Sequence, residues 1–263
     1  MTFADTHTHL YLEEFDEDRE QVLQQCAEAG VKYLFFPNID ANSIRPMLEV
    51  CSTHTHCYPM MGLHPSEVRE DYREALKYIM DCMDTADFVG IGEIGMDLYW
   101  DKTFVEEQKT VLAEQLRYAQ SRGLPAVIHC RKAFAETWEV LKQFKGNLHG
   151  IFHCFAGDIA QAEKVIEKGF LIGVGGTVTY KNSGIQEVVK HIGLQHIVLE
   201  TDSPFLTPVP FRGKRNASYH IPLIAQRIAE IKGLSLEEVA ETTTENALKL
   251  FIPACGAAAQ PPV

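Results

Sequence analysis

No apolar run in this 263-residue sequence comes near the ~20 residues of a membrane-spanning helix. Cysteine is sparse: Cys26, Cys51, Cys57, Cys82, Cys130, Cys154 and Cys255 are odd in number, scattered, and never spaced C-x-x-C. That excludes a disulfide framework and points to reduced thiols in a cytoplasmic protein. Basic residues are scarce, 24 against 36 acids, for a net charge of −12. A protein held on nucleic acid by charge alone is excluded, because such binders are usually basic. A nuclease whose metal ions supply local positive charge is not. No G-x-G-x-x-G follows the first apolar segment, which weighs against an open dinucleotide-binding sheet. A histidine pair already at His7 is expected to leave no room for a signal peptide.

What is present is a rhythm. Short apolar or β-branched runs read as strands at Phe3–His7, Tyr33–Phe36, Tyr58–Leu63, Phe88–Glu93, Ala126–Cys130, His149–Phe155, Phe170–Val174 and Ile197–Glu200. Amphipathic stretches fill the gaps. Phe15–Ala29 has an acidic first turn and a Gly30 stop, Asp158–Lys168 ends at Gly169, and Tyr219–Lys232 ends at Gly233. Thr103-Phe-Val-Glu106, opening a helix that stops at Gly123, and Ser235-Leu-Glu-Glu238 read as capping boxes. Eight strands alternating with helices, about 33 residues per unit, predict a single α/β domain, a (β/α)8 TIM barrel over residues 1–252. Residues 253–263, rich in Pro and Ala, are expected to be a loose tail.

Barrel enzymes place their chemistry at the C-terminal ends of the strands. His7 and His9 close the first strand, and at a period of two their side chains share a side. Glu93, His129 and His153 fall at the ends of strands four, five and six, and Asp202 follows strand eight. Imidazoles and carboxylates from five strands predict a pair of divalent ions, Mg, Mn or Zn. Glu93 is the expected bridge, with His7, His9 and Asp202 on one ion and His129 and His153 on the other. Two such ions favour in-line displacement at phosphorus, with Asp202 accepting the proton of the attacking water. His64, in Gly62-Leu-His-Pro65, is a candidate substrate group. Arg131 shares the face of His129, and Arg212-Gly-Lys-Arg-Asn216 concentrates cationic and amide groups, so Arg131, Arg212, Lys214 and Arg215 are candidates for phosphate contact. Lys181 could join them, and Tyr99, Trp100 and Tyr180 could stack bases. Glu200 shares parity with Asp202, which leaves metal support and structural ion pairing both open. By contrast His54, His56, His191 and His196 precede strands and His149 begins one, so all five are read as structural.

The strings Asp5-Thr-His-Thr-His-Leu10, Gly62-Leu-His-Pro65, Gly92-Glu-Ile-Gly-Met-Asp97, Ile128-His-Cys-Arg131, Phe152-His-Cys-Phe-Ala-Gly157 and Leu199-Glu-Thr-Asp-Ser-Pro204 run almost the length of the chain. Together with the basic loop and Asn246-Ala-Leu-Lys-Leu-Phe251, they resemble the TatD family of metal-dependent deoxyribonucleases. The resemblance implies metals at the six residues above and a DNA substrate cleaved at its phosphodiester bonds, in several members as a 3′→5′ exonuclease. No membrane and no obligate protein partner are implied. Asn216-Ala-Ser218 stands where the family pattern has Asn-x-Pro, a departure that bears on loop shape and substrate preference. The alternative is an amidase, lactonase or deacylase on the same barrel. Many such barrels bridge their metals with a carboxylated lysine, where this strand four presents Glu93.

The chain supplies its own control, because Thr53-His-Thr-His56 repeats Thr6-His-Thr-His9. Replacing His7 and His9 by Ala is expected to abolish bound metal and turnover. Replacing His54 and His56 is expected to leave both near wild type, as read by metal analysis and initial rates.

Overall fold

The computed structural model describes residues 1–252; the tail expected at 253–263 lies outside the described residues. Eight parallel strands pair in sequence order, β1 to β8. The first four are β1 (Phe3–Asp5), β2 (Val31–Pro37), β3 (Cys57–Met61) and β4 (Gly90–Asp97). The others are β5 (Ala126–Arg131), β6 (Gly150–Phe152), β7 (Phe170–Val174) and β8 (Ile197–Leu199). Backbone bonds just beyond the last and first strands join the sheet's two edges: Thr6 N–H to Leu199 O, Asp202 N–H to His7 O, and His9 N–H to Ser203 O, each 2.9 Å. The fold is a TIM barrel.

Its helices are α1 (Arg19–Glu28), α2 (Ile44–Thr53), α3 (Tyr72–Cys82), α4 (Val105–Arg122) and α5 (Phe134–Leu141). They continue with α6 (Ile159–Glu167), α7 (Ile185–His191), α8 (Ile221–Lys232) and α9 (Leu236–Phe251). Their apolar stripes pack on the outward faces of the strands to form the main core. Inside the barrel a second, smaller cluster forms a floor: Ala4, Phe35, Met60, Val127, Ile151 and Val198, plugged from below by Ala247 and Phe251 of α9. Side chains alternate along a strand. The next inward positions above Val127, Ile151 and Val198 are therefore His129, His153 and Glu200. An apolar plug below thus dictates a polar mouth above.

Several local expectations are corrected. The predicted helix at Phe15 begins instead as a single 3-10 turn, Glu13–Phe15, and α1 starts only at Arg19. Asp18 stands at its N-cap without bonding the helix, because both its oxygens are taken by Arg215, at 2.9 and 2.5 Å. The Thr103 capping box does not form. The Thr103 N–H donates to Asp101 instead, at 2.7 Å, and α4 starts at Val105. Such local side-chain bonds compete with helical capping. The Ser235 cap does form, accepting from Glu238 N–H, and α6 gains a full capping box from Asp158 and Gln161.

Strand four runs four residues past its predicted end. Between Ile91 and Ile94 it slips against β5, three residues facing the two of Ala126–Ile128, which is a bulge centred on Glu93. Gly95, at φ +146°, lets β4 continue, since a Cβ there would meet His129 O at 1.9 Å. β6 stops short of its predicted end, because the chain turns through Cys154 at φ +43°.

Phe251 stacks on Phe35 with ring centroids 4.4 Å apart and is 4% exposed. Phe251→Ala should open the barrel floor and cost ~3–5 kcal/mol, read as a lower urea midpoint at unchanged slope.

Candidate metal centre

The segment leaving β1 carries His7 and His9 upward, and its course is set by Asp5. That buried carboxylate accepts from the His7 N–H at 3.2 Å, the Thr201 N–H at 2.9 Å and the Thr201 hydroxyl at 2.5 Å. Burial pushes Asp5 up to about 7, with Ser218 and Thr201 opposing. Ser218, the residue that departs from the family pattern, also donates to Thr8 Oγ1 at 3.0 Å. It ties the β8 loop to the histidine segment.

Glu93 stands at the centre. Its Oε2 lies 3.0 Å from His7 Nε2 and 3.7 Å from His9 Nε2. Its Oε1 lies 2.6 Å from His129 Nδ1, 2.7 Å from His153 Nε2 and 3.2 Å from His64 Nε2. Asp202 approaches only the first group, with Oδ1 3.5 Å from His9 Nε2 and 3.7 Å from His7 Nε2. One carboxylate is thus shared between two clusters, one oxygen to each.

Hydrogen bonding assigns the tautomers. The Tyr11 hydroxyl donates to Pro37 O at 2.5 Å, so it accepts from His9 Nδ1 at 3.0 Å. His9 Nε2 is then a bare lone pair, 3.2 Å from His7 Nε2. Asp97 accepts from His129 Nε2 at 3.0 Å, so in the neutral ring His129 Nδ1 is a lone pair facing both Glu93 and, at 3.2 Å, His153 Nε2. Against its burial, Asp97 and Glu93 push the His129 pKa up, toward a proton on Nδ1 as well. His64 Nδ1 accepts from the Ser66 N–H, so its Nε2 carries the proton toward Glu93. Lone pairs converging on lone pairs are repulsive unless protons or a cation lie between them. Buried His7 Nδ1, His153 Nδ1 and Glu200 Oε2 also lack hydrogen-bond partners.

The electrostatics agree. Burial opposes ionisation of Glu93, yet His153, His64, His7 and His129 hold its carboxyl well below the usual range. Burial would also keep His153 neutral, but Glu93, Glu200 and Asp202 push it up to about 10. His7, stacked on His153 with centroids 3.9 Å apart, is pushed down to about 4 by burial and by that neighbour. The acidic site draws positive charge to itself, and imidazole nitrogens with carboxylate oxygens are a donor set that suits divalent ions. The residues fit a metal centre.

The remaining candidates separate by position. His54 and His56 lie on the connection from α2 into β3, at the opposite end of the barrel, with His54 Nε2 3.2 Å from Glu20. His191 pairs with Glu163 at 2.9 Å. Arg131 lies over Tyr99, its guanidinium 4.0 Å from the ring centroid, and Arg212 lies 4.3 Å over Tyr180. Lys214 is 5.8 Å from the Phe211 ring. The guanidinium of Arg215 is held by Asp18 and by the Glu14 carbonyl, and its place is structural. Asn216, the amide of the basic loop, is fully buried and donates to Thr201 O and Phe205 O. Its amide is consumed in holding the loop. Glu200 is buried behind His153, its Oε1 accepting from the Cys154 N–H, and burial pushes it up to about 8.

Two partners escaped the sequence reading. Tyr11 continues the period of two begun by His7 and His9, a signal that was available. Asp97 lay beyond the expected end of strand four at Glu93; the period of two runs on from Glu93 through Gly95 to Asp97 in the longer β4.

Fold and site together define a metal-dependent hydrolase built on a (β/α)8 barrel. A family model described as TatD related DNase matches residues 4–252, and the chain belongs to that family. It is 37% identical over 249 residues to the metal-dependent hydrolase YabD of Bacillus subtilis, spanning 94% of this chain and 98% of that one. It is 30% identical over 256 residues to the 3′-5′ ssDNA/RNA exonuclease TatD of Pectobacterium carotovorum, spanning 94% and 98%. The crystal structure of YjjV, a TatD homologue from Escherichia coli, superimposes with a TM-score of 0.89 at 30% identity, covering 95% of this chain and 97% of that one.

Asp97→Asn presents His129 Nε2 with a group that can donate as well as accept, loosening the tautomer. Metal affinity should fall roughly 10–100-fold, with unchanged circular dichroism, in a competitive chelator titration.

Proposed function

We propose that this protein hydrolyses phosphodiester bonds of single-stranded DNA or RNA from the 3′ end, using two divalent ions. The observation that carries this reading is the division of Glu93: Oε2 to His7 and His9, Oε1 to His129 and His153. A single carboxylate between two imidazole clusters is the arrangement that two cations need. His7, His9 and Asp202 would hold one ion and His129 and His153 the other, with Mg, Mn or Zn as candidates. Ions held there would neutralise charge on a phosphate and make water acidic enough to attack at neutral pH.

The chain's own residues supply the rest. Burial opposes ionisation of Asp202, yet the neighbouring His9, His7 and His153 hold its carboxyl below the usual range. It is thereby available to take the proton of attacking water. His64, its Nε2 proton aimed at Glu93, lies where it can turn to a phosphate oxygen. Arg131, Arg212 and Lys214 provide positive charge at the mouth of an otherwise acidic protein, and they would draw the polyanion there. Arg215 serves instead to anchor their loop through Asp18. The free thiols among the described residues support a cytoplasmic setting.

The test is hydrolysis of end-labelled single-stranded DNA, single-stranded RNA and duplex DNA after chelation and restoration of Mg, Mn or Zn. Cleavage should vanish with chelation and return with metal, fastest on single strands. Full activity in metal-free protein, or no cleavage with any of the three metals, overturns the reading. Asp202→Asn should lower the rate at least ~100-fold while retaining most bound metal. Neutralising Arg212 and Lys214 should weaken oligonucleotide binding and spare a small chromogenic phosphodiester.

A further inference from the structure

Beside the centre, between the ends of β5 and β6, lies a cleft of about 450 Å³. That is within the ~300–1,000 Å³ of small-ligand sites. His153, Tyr99, Phe134, Phe155, Arg131 and Lys132 line it, with the Arg131 guanidinium over one face of the Tyr99 ring, which leaves the other face to a base. Lys132 is left-handed, with φ +55°. That conformation is uncommon outside glycine, and such residues cluster at functional sites. Nothing local asks for a lysine there. Neither Arg131 nor Lys132 has a carboxylate within 4.0 Å among the described residues. Among the described residues Arg19, Arg45, Arg122, Arg215 and Arg227 are each paired and the other five arginines are not; of those five only Arg131 lines this cleft. In a chain of net charge −12, two adjacent unpaired cations over an aromatic cleft that opens onto a metal ligand match an anion joined to a flat ring.

We propose that this cleft seats the nucleotide bearing the scissile phosphate, with Lys132 and Arg131 on its phosphates and its base against the aromatic wall of Tyr99 and Phe155. The proposal rests on the nuclease reading above. It assigns Lys132 and Tyr99 to substrate binding and gives the site a physical reason to prefer unpaired ends. A base can enter the cleft only when it is free of a complementary strand. Stacking on an aromatic ring tolerates any base, so the cleft selects strand state rather than sequence.

The test uses metal-loaded protein carrying Asp202→Asn, so that binding is read without turnover, and a short single-stranded oligothymidylate. Lys132→Gly keeps the backbone at ease at this φ and removes only the cation. Its melting temperature should hold or rise, its affinity should fall about tenfold, and the slope of log affinity against log salt should drop by ~0.7. Tyr99→Ala should weaken binding roughly fivefold or more, and Tyr99→Phe, which keeps the ring, should not. On an oligonucleotide with an abasic 3′-terminal residue, Tyr99→Ala should cost nothing further, because the stacking partner is already gone. Unchanged affinity and salt slope in Lys132→Gly, or equal losses on normal and abasic strands in Tyr99→Ala, would overturn the cleft assignment while leaving the nuclease reading intact. A wild-type protein that neither binds nor cuts any oligonucleotide overturns both, and the two failures are thereby distinct.

Discussion

Glu93 is an ionised carboxylate only 4% exposed, and such a group persists in a protein interior only when opposite charge and donors surround it. Much of the mouth of this barrel is arranged around that requirement. Four imidazoles within 3.2 Å of its two oxygens arrive from four separate strand ends, and Asp202 closes the side that His7 and His9 face. The histidines have supports of their own. Asp97 orients His129 and Tyr11 orients His9, so the nitrogen lone pairs are turned inward. The result is an acceptor-rich cavity that attracts positive charge, and His153, raised to about 10, is where that attraction falls on the protein itself.

The barrel supports this concentration of polar groups by dividing its interior into two layers. The lower layer is apolar and sealed by Phe251 from the last helix. The upper one is polar because the same strands, continued by two residues, point their next side chains to the same side. The edges of the sheet meet through the segments that also carry His7, His9 and Asp202, so barrel closure and the placement of these side chains share hydrogen bonds. Loosening that seam through Asp5, Thr201 or Ser218 would shift His7, His9 and Asp202 without altering any of the three side chains.

Most of the fold was legible in the residues. Eight apolar runs and their spacing correspond to the eight strands, and Gly123 and Gly233 mark helix ends where the chain turns left-handed. The misreadings were local contests between hydrogen bonds. Asp18 is drawn to Arg215, 197 positions away, and Asp101 captures the Thr103 N–H; neither outcome is visible from helix-start patterns. The bulge at Glu93 was equally hidden. An extra residue in one strand matters only against its partner, and β4 runs on beyond it to Asp97, four residues past the expected end.

What the sequence by itself determined is the set of chemical groups and their parity. Period-two alternation carries Val127 to His129, Ile151 to His153 and Val198 to Glu200 and Asp202, so inward direction follows from one-dimensional order. What only the tertiary structure decided is which lone pairs meet and which cations stay free. Arg131 and Arg215 are the same residue type in equally basic strings, yet Arg215 is neutralised by a carboxylate from the far end of the chain and Arg131 rests on Tyr99 with its charge exposed. Coulomb attraction depends on distance in space, and distance in space between residues far apart in sequence exists only once the barrel has closed.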